Sequence, residues 1–284
     1  PICMEWFKST HLAAGTTSGY ILVYGIDGSL KLSRRLEFDI LCISWSRNRF
    51  LAAGSFLKLI VFNPKGDVAW SYRINGPFRV LKWSGNGLLA AGSGHLDYTL
   101  YVFTEDGVLQ WCRRLNSTIV DLSWNSLGNL IVACEDGSIY VLNSDGEVSY
   151  SFNLKPKIID VESIGEGRTI IATSSKIYVV DRDGKLIGIT TIMELEEERE
   201  SGAVYKRVSQ MCTKDVIVAY PQEYLEDVLY KMDKYNIGRL PVVMPGNGDR
   251  EGGGRGKKLI GIISRSDIVR EHCRRRALFK GMQE

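Results

Sequence analysis

No apolar run in the 284 residues approaches the roughly 18 that a membrane helix needs, and the first residues lack a leader pattern. Direct membrane insertion is therefore not expected; a membrane link would come through a partner or through further sequence. The start at Pro1 fits either a trimmed initiator methionine or a boundary inside a longer protein. Metal chemistry is also poorly supplied. The six cysteines, at 3, 42, 112, 134, 212 and 273, form no CxxC pair, and the three histidines, His11, His95 and His272, are far apart. A zinc site needs clustered ligands, so the thiols are expected to be buried or inert and the compartment cytoplasmic. No Ser/His/Asp set and no paired carboxylates at working spacing point to catalysis, so no catalytic residue is assigned.

What is present is the composition of a globular protein, 44% apolar and 24% charged, with length for two domains. The net charge of +3 is unevenly spread. Residues 205–284 hold 16 Lys/Arg against 10 Asp/Glu, 183–204 hold 2 against 6, and 1–182 are near balance. A basic end and an acidic hinge are surfaces for different partners, or solvated faces.

Residues 1–182 repeat. "ICMEW", "LCISW", "VLKW" and "DLSW" end at Trp6, Trp45, Trp83 and Trp124, spaced by 39, 38 and 41 residues. Each is followed by a small-residue strand ("HLAAGT", "FLAAGS", "LLAAGS", "LIVACE"), then by an aromatic and β-branched strand such as "LIVFN". A turn ending in Gly28, Gly66, Gly107 or Gly146 comes next, with Leu32, Trp70, Trp111 or Tyr150 four residues past it. A fifth unit starts at "IIDVESI", with Glu162 taken as the replacement for the Trp. Four short strands per unit predict stacked β-meanders, and stacking around an axis buries both faces of each. The pattern resembles WD-repeat and quinoprotein-like β-propellers, without the WD dipeptide itself. The Trp set is expected to pack blades together.

From Val208 the grammar changes to β-α-β-β-α. A strand is followed by a helix opened by Pro221 with Leu225, Val228, Leu229, Met232 and Tyr235 on one face, then "GRLPVV", a polar insert, "LIGIIS" and a helix from Ser264. The glycine-rich insert lacks the glycine and Ser/Thr positions of a phosphate loop. "GRLPVV" and "GIISRSD" resemble a CBS (cystathionine-β-synthase type) domain. That resemblance implies paired modules and a regulatory ligand such as AMP, ATP or S-adenosylmethionine. It places Ser264 and Asp267 on phosphate and ribose, with Thr213, Val216 and Pro241 around the base. Ser264-x-x-Asp267 is equally a helix capping box. Arg274, Arg275 and Arg276 could meet phosphate or RNA, or answer the helix dipole.

Between these parts, "GITTIME" (188–194) matches "GIISRSD" (261–267) in spacing, and Thr191 and Glu194 repeat the box. From Gly184 this reads as a partial first CBS copy continuing into a helix, because a blade's fourth strand has a bulky residue where Gly188 stands. The expected fold is therefore mainly β plus α/β: a propeller of about five four-stranded repeats (1–182), a partial CBS-like helix and acidic hinge (183–204), and a CBS domain with a basic tail (205–284). The expected function is a non-enzymatic regulator in which the CBS module senses an adenine nucleotide and the propeller docks a protein. CBS modules also imply a homodimer. The stretch from 188 resembles the CBS pair of chloride-channel-type proteins, which gives a transporter's cytosolic part as one alternative; an RNA- or ribosome-associated factor is another.

Overall fold

The structure is a computed structural model and describes residues 3–155, 157–164, 167–191, 216–235, 237–244 and 258–271. The chain divides into two compact units, Pro1–Tyr150 with Pro156–Ser174, and Ser151–Lys155 with Ser175–Glu284.

The first unit is built from four-stranded antiparallel meanders. Its first sheet is β1 (Cys3–Phe7), β2 (His11–Gly15), β3 (Tyr20–Gly25) and β4 (Leu30–Arg35), in that order. The second is β5 (Cys42–Trp45) to β6 (Leu51–Gly54), β7 (Lys58–Phe62) and β8 (Val68–Arg73). The third is β9 (Phe78–Trp83), β10 (Leu88–Ser93), β11 (Thr99–Thr104) and β12 (Leu109–Arg114). β13 (Ile119–Trp124), β14 (Leu130–Cys134), β15 (Ser138–Leu142) and β16 (Val148–Asn153) follow, and β17 (Ile158–Ile164) with β18 (Arg168–Thr173) form a further antiparallel hairpin.

The core lies between successive sheets. Ile21 and Val23 of the first sheet cluster with Ile43, Leu51, Ala53 and Phe62 of the second, whose other face joins Phe78, Leu81 and Leu89 of the third. The repeated small residues suit these seams: Ala13, Ala52, Ala90, Ala91 and Ala133 are fully buried, where larger side chains would hold the sheets apart. Two of the four repeat tryptophans tie the seams as expected, whereas Trp6 is 54% exposed and the buried Trp45 indole N–H has no hydrogen-bond partner among the described residues. Trp83 Nε1 donates to the Ser44 carbonyl at 3.2 Å, and Trp124 Nε1 to the Lys82 carbonyl at 3.0 Å. The outer set does the same at the rim: Trp70 Nε1 donates to the Glu105 carbonyl and Trp111 Nε1 to the Ser144 carbonyl, both at 2.8 Å. The rings lie over the turn glycines of the following sheet, Gly107 and Gly146, which adopt φ of +88° and +80°. Leu32, Trp70 and Trp111, each four past a turn glycine, thus lie against the turn glycine of the next sheet.

Register corrects one assignment. Trp124 pairs with Leu130 and Ser163 with Thr169, while Ser123 pairs with Ile131 and Glu162 with Ile170. Ser163 therefore replaces the tryptophan, and Glu162 is the counterpart of Ser123. The 38-residue spacing misplaced it because the link from β18 to the next strand is one residue shorter than the one after β14.

In the second unit β19 (Lys176–Val180) and β20 (Leu186–Thr191) pair antiparallel around Gly184, with the one-residue shift also seen between β3 and β4. Gly188 sits in β20 opposite Val179. The helix and acidic hinge expected after Thr191 lie outside the described residues. Further on, Ala219 bridges Val242 in parallel, α1 (Leu225–Lys234) follows, and β21 (Arg239–Met244) pairs antiparallel with β22 (Lys258–Ser264) before helical residues 265–271. This is the expected β-α-β-β-α order.

Val228 and Met232 of α1 are buried with Ala219, Leu240 and Ile268, and Leu225 and Leu229 pack against them. Two details differ from expectation. The helix starts at Leu225, because Pro221 lies in a turn whose Glu223 N–H donates to the Tyr220 carbonyl. Tyr235 caps the helix C-terminus and stays 46% exposed rather than joining the apolar face. No helix among the described residues is long and apolar enough to cross a membrane.

Candidate functional site

The centre of the candidate site is where β22 passes into the helix at 265. Ser264 is the cap. Its N–H donates to Asp267 Oδ2 at 3.0 Å, its hydroxyl donates to the same oxygen at 2.7 Å, and Asp267 N–H donates to Ser264 Oγ at 3.2 Å. This is the reciprocal arrangement of a capping box. Lys155 Nζ stands 3.2 Å from the same Oδ2, whereas Oδ1 has Arg270 at 4.0 Å. Burial disfavours the charged carboxylate, but the Ser264 hydroxyl and amide and the Lys155 ammonium outweigh it and hold the Asp267 pKa below its ordinary value. Chemically, the site offers an ionised carboxylate with one oxygen engaged by the cap and the other turned toward weaker company, beside a hydroxyl and two cations.

The remaining residues expected here are placed separately. Pro241 is buried in β21 opposite Ile262, and its carbonyl accepts the Ala219 N–H at 2.8 Å. Val216 lines an open groove of about 600 Å³ with Tyr220, Glu223, Tyr230, Lys231 and Tyr235 of the α1 region; Ser264 and Asp267 are not in its wall. Lys231 is fixed there by Glu223 at 2.6 Å and by the Val218 carbonyl at 3.1 Å. Thr191 is the last residue of β20. Thr213, Glu194, Arg274, Arg275 and Arg276 lie outside the described residues.

Polar residues missed in the sequence line the first strands of the sheets. Glu5 Oε2 accepts the Trp45 N–H at 3.0 Å, and burial pushes the Glu5 pKa up. Asp121 Oδ2 accepts the Val161 N–H at 2.7 Å; burial, then the neighbouring Asp160 carboxyl, raises the Asp121 pKa. Lys82 pairs with Glu162 at 3.4 Å. The available signal was positional: by register Glu5, Ser44, Lys82, Ser123 and Glu162 are equivalents. The Glu5 and Ser123 bonds latch one sheet to the next, while Lys82–Glu162 joins the third sheet to β17. The thiols behave similarly, Cys42 Sγ donating to the Phe78 carbonyl at 3.6 Å, with burial raising the Cys42, Cys3 and Cys134 pKa values; Cys112, by contrast, is exposed.

Comparison with known proteins matches residues 208–273 to the CBS domain family. A homoserine O-acetyltransferase of Methanococcus vannielii is 32% identical over 146 residues, which are 45% of this chain and 28% of that enzyme. The chain thus spans little more than a quarter of that relative's length. An uncharacterized protein of Methanocaldococcus jannaschii is 37% identical over 131 residues, covering 45% of this chain and 68% of the relative. Among solved structures, the Cps50 (Swd1) β-propeller domain of Myceliophteria thermophila superposes with a TM-score of 0.54 at 16% identity, covering 63% of each chain. At that identity the likeness concerns the fold, and the repeats form a β-propeller.

Proposed function

Residues 208–273 belong to the CBS domain family, and from that premise we propose a non-enzymatic regulator whose CBS domain senses an adenine nucleotide while its β-propeller docks a protein partner. The observation that carries the nucleotide reading is Asp267. Its Oδ2 is held by the Ser264 cap and Lys155, so the carboxylate is fixed and ionised, and Oδ1 can accept from a ribose diol without breaking the cap. Lys155, whose ammonium has N–H bonds beyond the one directed at Oδ2, supplies a donor that a phosphate needs. The enzymatic name of the acetyltransferase relative does not transfer, since the matched residues are 28% of that enzyme. The proposed location is the cytoplasm. Calorimetric titration of the full chain with AMP, ATP and S-adenosylmethionine tests this reading. Saturable binding of one of them, lost in Asp267→Ala, is the expected outcome; heats indistinguishable from dilution for all three would refute it.

A further inference from the structure

The seam between the first and second sheets is filled differently from the two that follow. There Trp70 and Trp111 lay an indole over Gly107 and Gly146, and each Nε1 donates to a carbonyl of the same turn. The first seam has Leu32 in that place, lying over Gly66 and bringing no indole N–H. A cavity of about 110 Å³ remains beside it. Its walls all belong to the first unit, with buried Val23, Leu51 and Phe62 as an apolar floor and Trp45 at one side. The Trp83 and Trp124 indoles each donate to a carbonyl of the sheet before, but the buried Trp45 Nε1 has no such partner among the described residues.

The charges at this cavity depart from the repeat in one direction. Before the turn glycine the third and fourth sheets carry Asp106 and Asp145, whereas the second carries Lys65. Four residues past the Trp position those sheets have Gly87 and Gly128, at φ of +86° and +82°; the second has Arg49 at +68°. The three turns are otherwise alike, the N–H at this position donating to the carbonyl of Ser84, Asn125 or Ser46. Left-handed backbone is unfavourable for any residue with a Cβ, so the second sheet holds a guanidinium where its neighbours use the unstrained residue. Arg49 and Lys65 both line the cavity and have no ion-pair partner among the described residues, while Lys31, also in its wall, faces Asp27 at 3.7 Å.

We infer that this cavity binds a small organic dianion, a phosphomonoester with a compact apolar body. The body takes the space that an indole fills at the next two seams, against Val23, Leu51 and Phe62. An apolar cavity of about 150 Å³ accepts a benzene ring, and this one is of the same order. The phosphate lies at the mouth, where the exposed Arg49 and Lys65 offer two uncompensated positive charges to its two negative ones. The site is built wholly within the propeller and is independent of the nucleotide reading of Asp267.

The test is calorimetry of the full chain with phenyl phosphate, which should bind saturably and at least about tenfold more tightly than inorganic phosphate. Leu32→Trp, which installs the residue of the later sheets, should abolish the binding. Arg49→Gly, which installs the glycine of the equivalent turns, should keep or raise the melting temperature while weakening the binding by at least about tenfold. A merely structural arginine would not separate the two readouts in that way. If circular dichroism shows Leu32→Trp unfolded, Lys65→Asp takes its place, with a similar loss of affinity expected. Absence of saturable heat overturns the inference, as does equal affinity for inorganic phosphate or binding that survives the substitutions. Asp267→Ala should leave phenyl phosphate binding unchanged; its loss there would assign the heat to the CBS domain and overturn the propeller site, while the nucleotide sensor stands or falls on its own titration.

Discussion

Gly146→Ala tests the contact that ties the third sheet to the fourth. The position has φ of +80°, and a Cβ there would lie 2.7 Å from Trp111 Cδ2. Gly28 is the control, with φ of +77° and nothing within 4 Å of an added Cβ. Left-handed backbone costs an alanine about 1–2 kcal/mol, and Gly28→Ala should read that cost alone. Gly146→Ala adds overpacking of roughly 1–3 kcal/mol, because the ring cannot slide away. Its Nε1 is tethered to the Ser144 carbonyl at 2.8 Å within the same turn. Urea unfolding followed by circular dichroism should therefore rank Gly146→Ala below Gly28→Ala by roughly 1–3 kcal/mol. In a Trp111→Ala background the alanine at 146 should cost no more than the one at 28, so the double-mutant cycle isolates the contact. Equal costs at 28 and 146, or a penalty at 146 that persists without the indole, would refute the packing account. Gly107→Ala, which meets Trp70 Cγ at 2.6 Å, should repeat the result one sheet earlier.

Two other perturbations follow from the described side chains. Asp121 has its pKa raised by burial and by Asp160, so the fold prefers its protonated form. That stabilisation is complete below the ordinary value of 3.8 and is lost as pH rises through the folded value toward neutrality. Relative to Asp121→Asn, which keeps an oxygen for the Val161 N–H, the natural chain should lose about 1 kcal/mol or more of stability over this window in denaturant titrations at stepped pH. Met232 is fully buried in the CBS core. Met232→Ala should cost that unit roughly 2–5 kcal/mol, seen as earlier loss of hydrogen-exchange protection in β21 and β22, with the first three propeller sheets unchanged.

The propeller was legible because its signals are local and repeated. A small strand, a branched strand, a turn glycine and a tryptophan recur at nearly equal spacing, and periodicity of that kind survives a single misplaced residue. Glu162 is the instructive failure. Spacing alone put it at the tryptophan position, and only pairing with Ile170 rather than Thr169 moved it. The order of the CBS elements was equally readable, but the helix start was not. Pro221 has the right chemistry for a first turn, yet Glu223 is engaged by Lys231 at 2.6 Å and the helix begins at Leu225. The inner carboxylates were invisible for another reason. Asp121 and Asp160 are 39 residues apart, and their interaction depends on two strands lying side by side.

The sequence alone also left Ser264-x-x-Asp267 with two meanings, helix cap and ligand site, and the geometry suggests how to separate them. Both roles use one carboxylate through different oxygens. The cap needs Oδ2 to reach back to the Ser264 N–H at 3.0 Å; a ligand would use Oδ1. Asp267→Ala removes both and cannot discriminate. Asp267→Glu can, because glutamate at the third helical position is a favoured capping-box partner, while its extra methylene moves the outward oxygen. The variant should unfold within about 0.5 kcal/mol of the natural chain, since a surface change that keeps its cap lies in that range. If the site binds an adenine nucleotide, calorimetry should nevertheless show its affinity reduced by at least about tenfold, the equivalent of one misplaced charge-assisted hydrogen bond. A variant that loses stability and affinity together would mean that the cap alone shapes the site. One that retains both would place the ribose elsewhere and leave Asp267 with only its structural role.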